Sequence, residues 1–239
     1  MKFACLHKTI RQPMHSCIGL TVCMAAILFL FSGVIANAQE KDFCIWTTVN
    51  IEKKFSKKFK AMLSQEFRCD ENASQLDNAF TNITAEYNFT KSLNASFNYR
   101  LINKRLIDGY YQQRNRIYVD VAYRFKRNDY AFTLRMRFQD QFRNVFFENA
   151  EQPAILYWRN KLTFKYYFNK IKPYSYFEIF YPLNDPLINT IDNLRLAVGC
   201  NYDFTKRHSV NLYYLINKEI NVKNPVTSFI AGIEYTYSF

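Results

Sequence analysis

Arg116-Ile117-Tyr118-Val119-Asp120-Val121-Ala122-Tyr123-Arg124-Phe125, followed after four polar residues by Tyr130-Ala131-Phe132-Thr133-Leu134-Arg135-Met136-Arg137-Phe138-Gln139, is the stretch that decides the fold. Ile117, Val119, Val121, Tyr123 and Phe125 face away from Arg116, Asp120 and Arg124. Phe132, Leu134, Met136 and Phe138 face away from Thr133, Arg135, Arg137 and Gln139. Successive side chains of a strand point to opposite faces, so each run is a ribbon with one apolar side and one polar side. Helical spacing fits neither run.

The same rhythm extends in both directions. It occupies Phe43–Phe55, Phe59–Arg68, Ile83–Phe89 and Leu93–Leu101, and returns around Leu156–Phe168, Tyr174–Tyr181, Leu194–Phe204, Val210–Ile216 and Phe229–Phe239. About eleven such runs exceed the five or six residues usual for a soluble sheet and match what a tilted strand needs to cross a bilayer. Short polar links at Ser56-Lys57-Lys58, Thr90-Lys91-Ser92, Arg127-Asn128-Asp129, Asn169–Lys172 and Thr205–His208 alternate with longer ones. The longer links are Cys69–Asn78, Asn103–Gln113, Arg143–Pro153, Asn184–Ile191 and Asn217–Val226. Short turns on one side and long loops on the other describe an all-β, antiparallel up-and-down transmembrane barrel whose turns face the periplasm.

A soluble barrel or sandwich shares the alternation, but three features speak against it. Aromatic residues crowd the strand ends, as at Phe55, Phe89, Phe125, Phe168 and Phe204, where a membrane barrel carries its girdles. The polar face repeatedly carries charge. The chain ends on Glu234-Tyr235-Thr236-Tyr237-Ser238-Phe239, an alternating aromatic strand with a terminal Phe. That ending resembles the signal read by the outer-membrane barrel assembly machinery, and Gly232, Tyr235, Tyr237 and Phe239 are the residues expected to form it. Closed antiparallel barrels have an even number of strands. The expectation is therefore ten or twelve, with twelve preferred. Either Gln39–Ile45 climbs through the lumen, or one run is not a strand, or one long run holds two.

At the other end, Lys2, Lys8 and Arg11 precede a stretch from Ile18 to Ile35 that is apolar apart from Thr21 and Ser32. Ala36-Asn37-Ala38 then supplies small residues at the −3 and −1 positions of a cleavage site. Residues 1–38 are expected to be a signal peptide cut ahead of Gln39, with Ala36 and Ala38 marking the cleavage site, leaving residues 39–239 as the barrel domain in the outer membrane. Cys44, Cys69 and Cys200 then remain, without metal-ligand spacing. Aromatic residues make up 18% of the chain and Gly numbers 5, which excludes collagen-like and Gly-rich disordered classes.

The net charge of +12 invites a nucleic-acid reading. It is rejected because the basic residues are dispersed among turns and inward faces, and export removes the chain from nucleic acid. Lys53, Lys54, Lys57, Lys58, Lys91, Lys126, Arg127, Lys170, Lys172, Lys206 and Arg207 cluster at the short turns, where they would meet anionic lipid head groups. Outer-membrane lipid is one expected partner.

The inward face carries Arg100, Arg116, Arg124, Arg135, Arg137, Arg159, Lys161, Lys165 and Arg195 together with Glu66, Glu86, Asp120, Glu178 and Glu234. Guanidinium groups would hold the carboxylates in bidentate pairs. The expected result is an ion-paired interior in a narrow or plugged, non-catalytic barrel with a structural or interaction role. A small anion-preferring channel or transporter, with a small anion in the lumen, is the alternative. A lipid-modifying enzyme ranks third. His208 and Ser209 are adjacent near a short turn, and sequence neighbours on a strand point to opposite faces, so the pair is not expected to act as a dyad. No catalytic, metal or cofactor site is expected.

The chain resembles the domain-of-unknown-function family 2490, predicted outer-membrane proteins of Gram-negative bacteria. Trp46, Glu66-Phe67-Arg68, Asn98-Tyr99-Arg100, Gln113–Arg116, Arg135-Met136-Arg137, Trp158–Leu162, Glu178-Ile179-Phe180, Leu194–Gly199 and Glu234–Phe239 carry the resemblance. It implies a barrel and an outer-membrane address. It brings no activity and no catalytic residues.

Overall fold

The computed structural model describes residues 40–143, 155–184 and 190–239. The expected signal segment, with Ala36 and Ala38, lies outside the described residues. Eleven strands are described: β1 (Glu40–Lys54), β2 (Phe59–Asp70), β3 (Gln75–Asn88), β4 (Leu93–Arg105), β5 (Tyr111–Arg127), β6 (Tyr130–Arg143), β7 (Ile155–Tyr166), β8 (Ile171–Pro182), β9 (Asn193–Asp203), β10 (His208–Glu219) and β11 (Val226–Ser238). Each pairs with its sequence neighbour in antiparallel fashion, and β1 pairs with β11 to close a barrel.

That closing pair corrects the expectation of ten or twelve antiparallel strands. β1 and β11 run parallel, in register from Glu40↔Val226 to Glu52↔Ser238. The even-number rule holds because antiparallel closure needs the first and last strands to point in opposite directions. A parallel pair removes that condition, and its evenly spaced, slanted hydrogen bonds still satisfy both edges. In the sequence, Gln39–Ile45 is one candidate source of the odd count, as a segment climbing through the lumen. From Glu40 onward it is instead part of the wall.

Strand lengths run from 11 residues in β9 to 17 in β5, so several strands project beyond the minimum needed to span a bilayer. Three of the longer links shrink accordingly. The connection expected over Cys69–Asn78 is residues 71–74, that over Asn103–Gln113 is 106–110, and that over Asn217–Val226 is 220–225. Asn128 and Asn169, both at positive φ, turn the chain tightly at the opposite end, which we call the turn end.

Residues 71–74 close the β2–β3 loop with Glu71, Asn72 and Ala73 all in the left-handed region, at φ 48°, 57° and 62°. Such a run is unfavourable for L-residues. It turns successive N–H groups toward one point, a concavity suited to an anion. The Asp42 carboxylate of β1 occupies it, accepting from Glu71 N–H at 3.2 Å and Asn72 N–H at 2.8 Å.

The wall is inverted relative to a soluble protein. Leu63, Ile83, Phe97, Phe138, Leu162 and Leu212 lie on its outside, each about half exposed, whereas Asn50, Asn82, Asn98 and Glu178 inside are 2–3% exposed. A closed sheet leaves no edge unpaired, which is the condition for putting backbone in hydrocarbon. A closed wall with an apolar exterior and a buried polar interior makes the protein a membrane barrel. One apolar island breaks the interior pattern: Cys44, Ala197, Leu215 and Ile230 pack with Trp46, Tyr176 and Tyr213 on the wall formed by β8–β11 and β1. Cys44, Cys69 and Cys200 are free thiols.

Candidate functional site

The site is the lumen itself. Because every strand alternates and every register is fixed by the pairing, inward residues of adjacent strands form rows around the wall. One row reads Arg135, Lys161, Glu178, Arg195 across β6, β7, β8 and β9. Another reads Lys54, Lys60, Glu86, Ser96, Asp120, Arg137 from β1 to β6.

The charges expected on the inward face sort into separate sets. Arg137 holds Asp120 through Nε at 2.6 Å and Nη2 at 2.7 Å, a bidentate pair. Glu66 receives Arg68 at 2.7 Å and Arg100 at 3.4 Å. Glu178 is shared by Arg135 and by Arg159, the latter at 2.8 Å. Lys60 lies between Glu52 at 3.2 Å and Glu86 at 3.3 Å. Glu234 is held by the amides of Asn50 and Asn211 rather than by a cation. Arg116 donates to the Gln141 side chain and Arg195 to that of Asn217, neither of them a carboxylate. Arg124 sits at the turn-end rim, exposed.

Aromatic rings support the guanidinium groups from below. Arg68 lies 3.5 Å from the Trp46 ring centroid, Arg137 3.9 Å from Tyr118 and Arg159 3.9 Å from Phe180. Each stack is favourable in its own right and more so when desolvated. Sequence reasoning missed these inward rings. Their signal was present: Tyr118 and Phe180 are aromatic residues in the polar phase of otherwise regular runs, and Phe80 sits out of phase with Ile83, Ala85 and Tyr87.

Among the described residues, two cavities stand out within the lumen. One, of about 680 Å³, lies toward the loop end and is lined by Arg68, Arg116, Arg137, Arg159, Asp192 and Glu219 among others. The second, of about 450 Å³, lies toward the turn end and is lined by Arg124, Lys165, Tyr174, Asn201, Asn211 and Glu234 among others. Arg135, Lys161 and Tyr176 line both, so these three side chains stand between the two cavities at a level we call the throat.

The tyrosines of the turn-end cavity lie flat because glycine lies beneath them. A Cβ on Gly232 would fall 2.0 Å from Tyr213 Cζ, and one on Gly199 would fall 2.6 Å from Tyr174 Cζ. Gly232 thus faces the lumen under a ring. Tyr235, Tyr237 and Phe239 form a different group, an aromatic cluster at the turn end. There Phe239 packs edge-on to Tyr237 at 4.8 Å, its N–H donates to Glu52 O at 2.9 Å, and Tyr235 Oη meets His208 Nδ1 at 2.6 Å. Among the described residues, no cluster of His, Cys, Asp and Glu could hold a metal ion.

Residues 43–227 match the model of a family described as protein of unknown function, DUF2490. The chain belongs to that family. As a DUF2490 member it is an outer-membrane β-barrel. Among solved structures it is similar to the β-domain of the Bordetella autotransporter BrkA, at 14% identity and TM-score 0.51, covering 78% of this chain and 86% of that one. It is also similar to the KdgM porin, at 15% identity and TM-score 0.45 over 80% and 89% of the two chains. The translocator domain of the autotransporter NalP from Neisseria meningitidis aligns at 12% identity and TM-score 0.42, over 89% and 94%. The BrkA likeness bears on the fold. No match was found among curated proteins.

Proposed function

We propose that this DUF2490 barrel is a narrow, non-catalytic, anion-preferring conduit of the outer membrane. The observation that carries the reading is the pair of cavities stacked on either side of Arg135, Lys161 and Tyr176, with cationic lining on both sides of the throat. Like-signed charge on low-dielectric walls focuses the field and raises the local concentration of the opposite ion. Ligands of a barrel this size enter by the ends, since interior width grows with strand number. The signal peptide at residues 1–38, the barrel assembly machinery and outer-membrane lipid belong to the same reading, as the route by which the chain reaches its membrane.

The ion pairs bracing the throat favour a second reading, a plugged scaffold. Glu178 ties Arg135 to Arg159 across β6, β7 and β8, and Asp120 pins Arg137. Single-channel recording of the folded barrel in planar bilayers separates the two. Discrete steps with a reversal potential displaced toward anions are expected under a salt gradient, and Lys161→Glu should move that potential toward cations. A folded barrel that passes no current overturns the conduit and leaves the scaffold.

A further inference from the structure

The throat has more positive charge than its own carboxylate can answer. Arg135, Lys161 and Glu178 stand directly opposite one another on β6, β7 and β8, and Arg195 of β9 is opposite Glu178. Arg159, one position along on the same wall, also turns to Glu178. One oxygen of Glu178 takes Arg135 Nη2, Arg159 Nη2 and Arg159 Nε together. Four cations therefore gather around a single carboxylate, and three of their N–H groups converge on one of its two oxygens.

Two donors are left over. Arg135 Nε is buried without an acceptor. Lys161 Nζ has no hydrogen-bond or salt-bridge partner among the described residues and lies 4.8 Å from the face of Tyr176. Both belong to side chains that line the two cavities at once. A buried charged donor with no partner is costly, and so are like charges directly opposite on neighbouring strands. An anion at this point would relieve both.

We infer that the throat is a binding station for a small oxyanion, a carboxylate or phosphate group that accepts from Lys161 Nζ and Arg135 Nε beside Tyr176. Adjacent strands lie about 4.8 Å apart, so an ion with several acceptor oxygens reaches donors on β6 and β7 at the same time. A single-atom halide answers them less well. The inference rests on the lumen as an anion path and deepens it by naming what is held there.

Equilibrium binding tests it separately from conduction. The barrel, extracted from membranes in detergent, is heated in chloride and in inorganic phosphate at constant ionic strength and pH, and loss of heat-modifiable mobility is followed. Phosphate should raise the unfolding midpoint saturably, because a ligand of the folded state stabilises it by mass action. Lys161→Met should displace the phosphate response about tenfold to higher concentration, the loss of one charge-assisted hydrogen bond. Lys91→Ala, an exposed charge in the turn between β3 and β4 that lines neither cavity, should follow the wild-type curve.

A wild-type midpoint unmoved by phosphate overturns the station, as does an equal response to chloride. A Lys161→Met curve that overlies the wild type overturns the assignment to Lys161. Should that variant fail to fold, the wild-type titration still decides. A barrel that conducts anions and ignores phosphate loses the station and keeps the conduit. One that binds phosphate and passes no current keeps the station and loses the conduit.

Discussion

At the scale of single residues, the lumen is governed by how few carboxylates serve how many guanidinium groups. Glu178 is the sharpest case, since its side chain is 3% exposed and two arginines depend on it. Glu178→Gln removes the counter-charge and leaves both cations buried. Breaking a buried pair from one side typically costs about 3–5 kcal/mol. The variant should unfold at distinctly lower denaturant concentration, and any conductance it retains should be more strongly anion-selective. Gly232 is sensitive for a steric reason. Gly232→Ala drives a methyl into the Tyr213 ring, and overpacking of this kind costs roughly 1–3 kcal/mol. Tyr213→Ser in the same chain should recover most of that loss, a coupling that a double-mutant cycle in unfolding measures directly.

At the scale of elements, the β2–β3 loop depends on a residue from β1. Asp42→Ala removes the carboxylate that the left-handed run of Glu71, Asn72 and Ala73 surrounds. Hydrogen exchange at the Glu71 and Asn72 amides should accelerate by one to two orders of magnitude while the wall stays protected, as in local opening. Nothing in the order of residues around Asp42 announces this contact, because it joins positions about thirty apart and exists only once β1 and β2 are in register. What was legible follows from period two. Ile117 to Phe125 and Phe132 to Phe138 fix both the faces and the inward charges, since alternation is a local property of the backbone. Which arginine meets which carboxylate was not legible, because pairing depends on the register between strands. Strand ends were misjudged for a related reason. Asp70, Gln75, Asp77 and Asn78 are polar and read as loop, yet they lie in hydrogen-bonded strand above the apolar belt, where hydrophobic alternation is not required.

At the scale of the whole molecule, the parallel seam between β1 and β11 decides where the chain's ends emerge. Ser238 and Glu52 pair at the turn end, so Glu40 and Val226 pair at the loop end. With turns in the periplasm, an epitope inserted ahead of Glu40 should bind antibody on intact cells, as should one placed within 106–110. An epitope after Phe239 should not. Reactivity in the opposite sense would place the turns outside. The seam also bears on ancestry. A wall made by copying β-hairpins gains two strands at a time and always returns both ends to one side of the bilayer. Eleven is not a multiple of two, so hairpin duplication alone could not have produced this barrel.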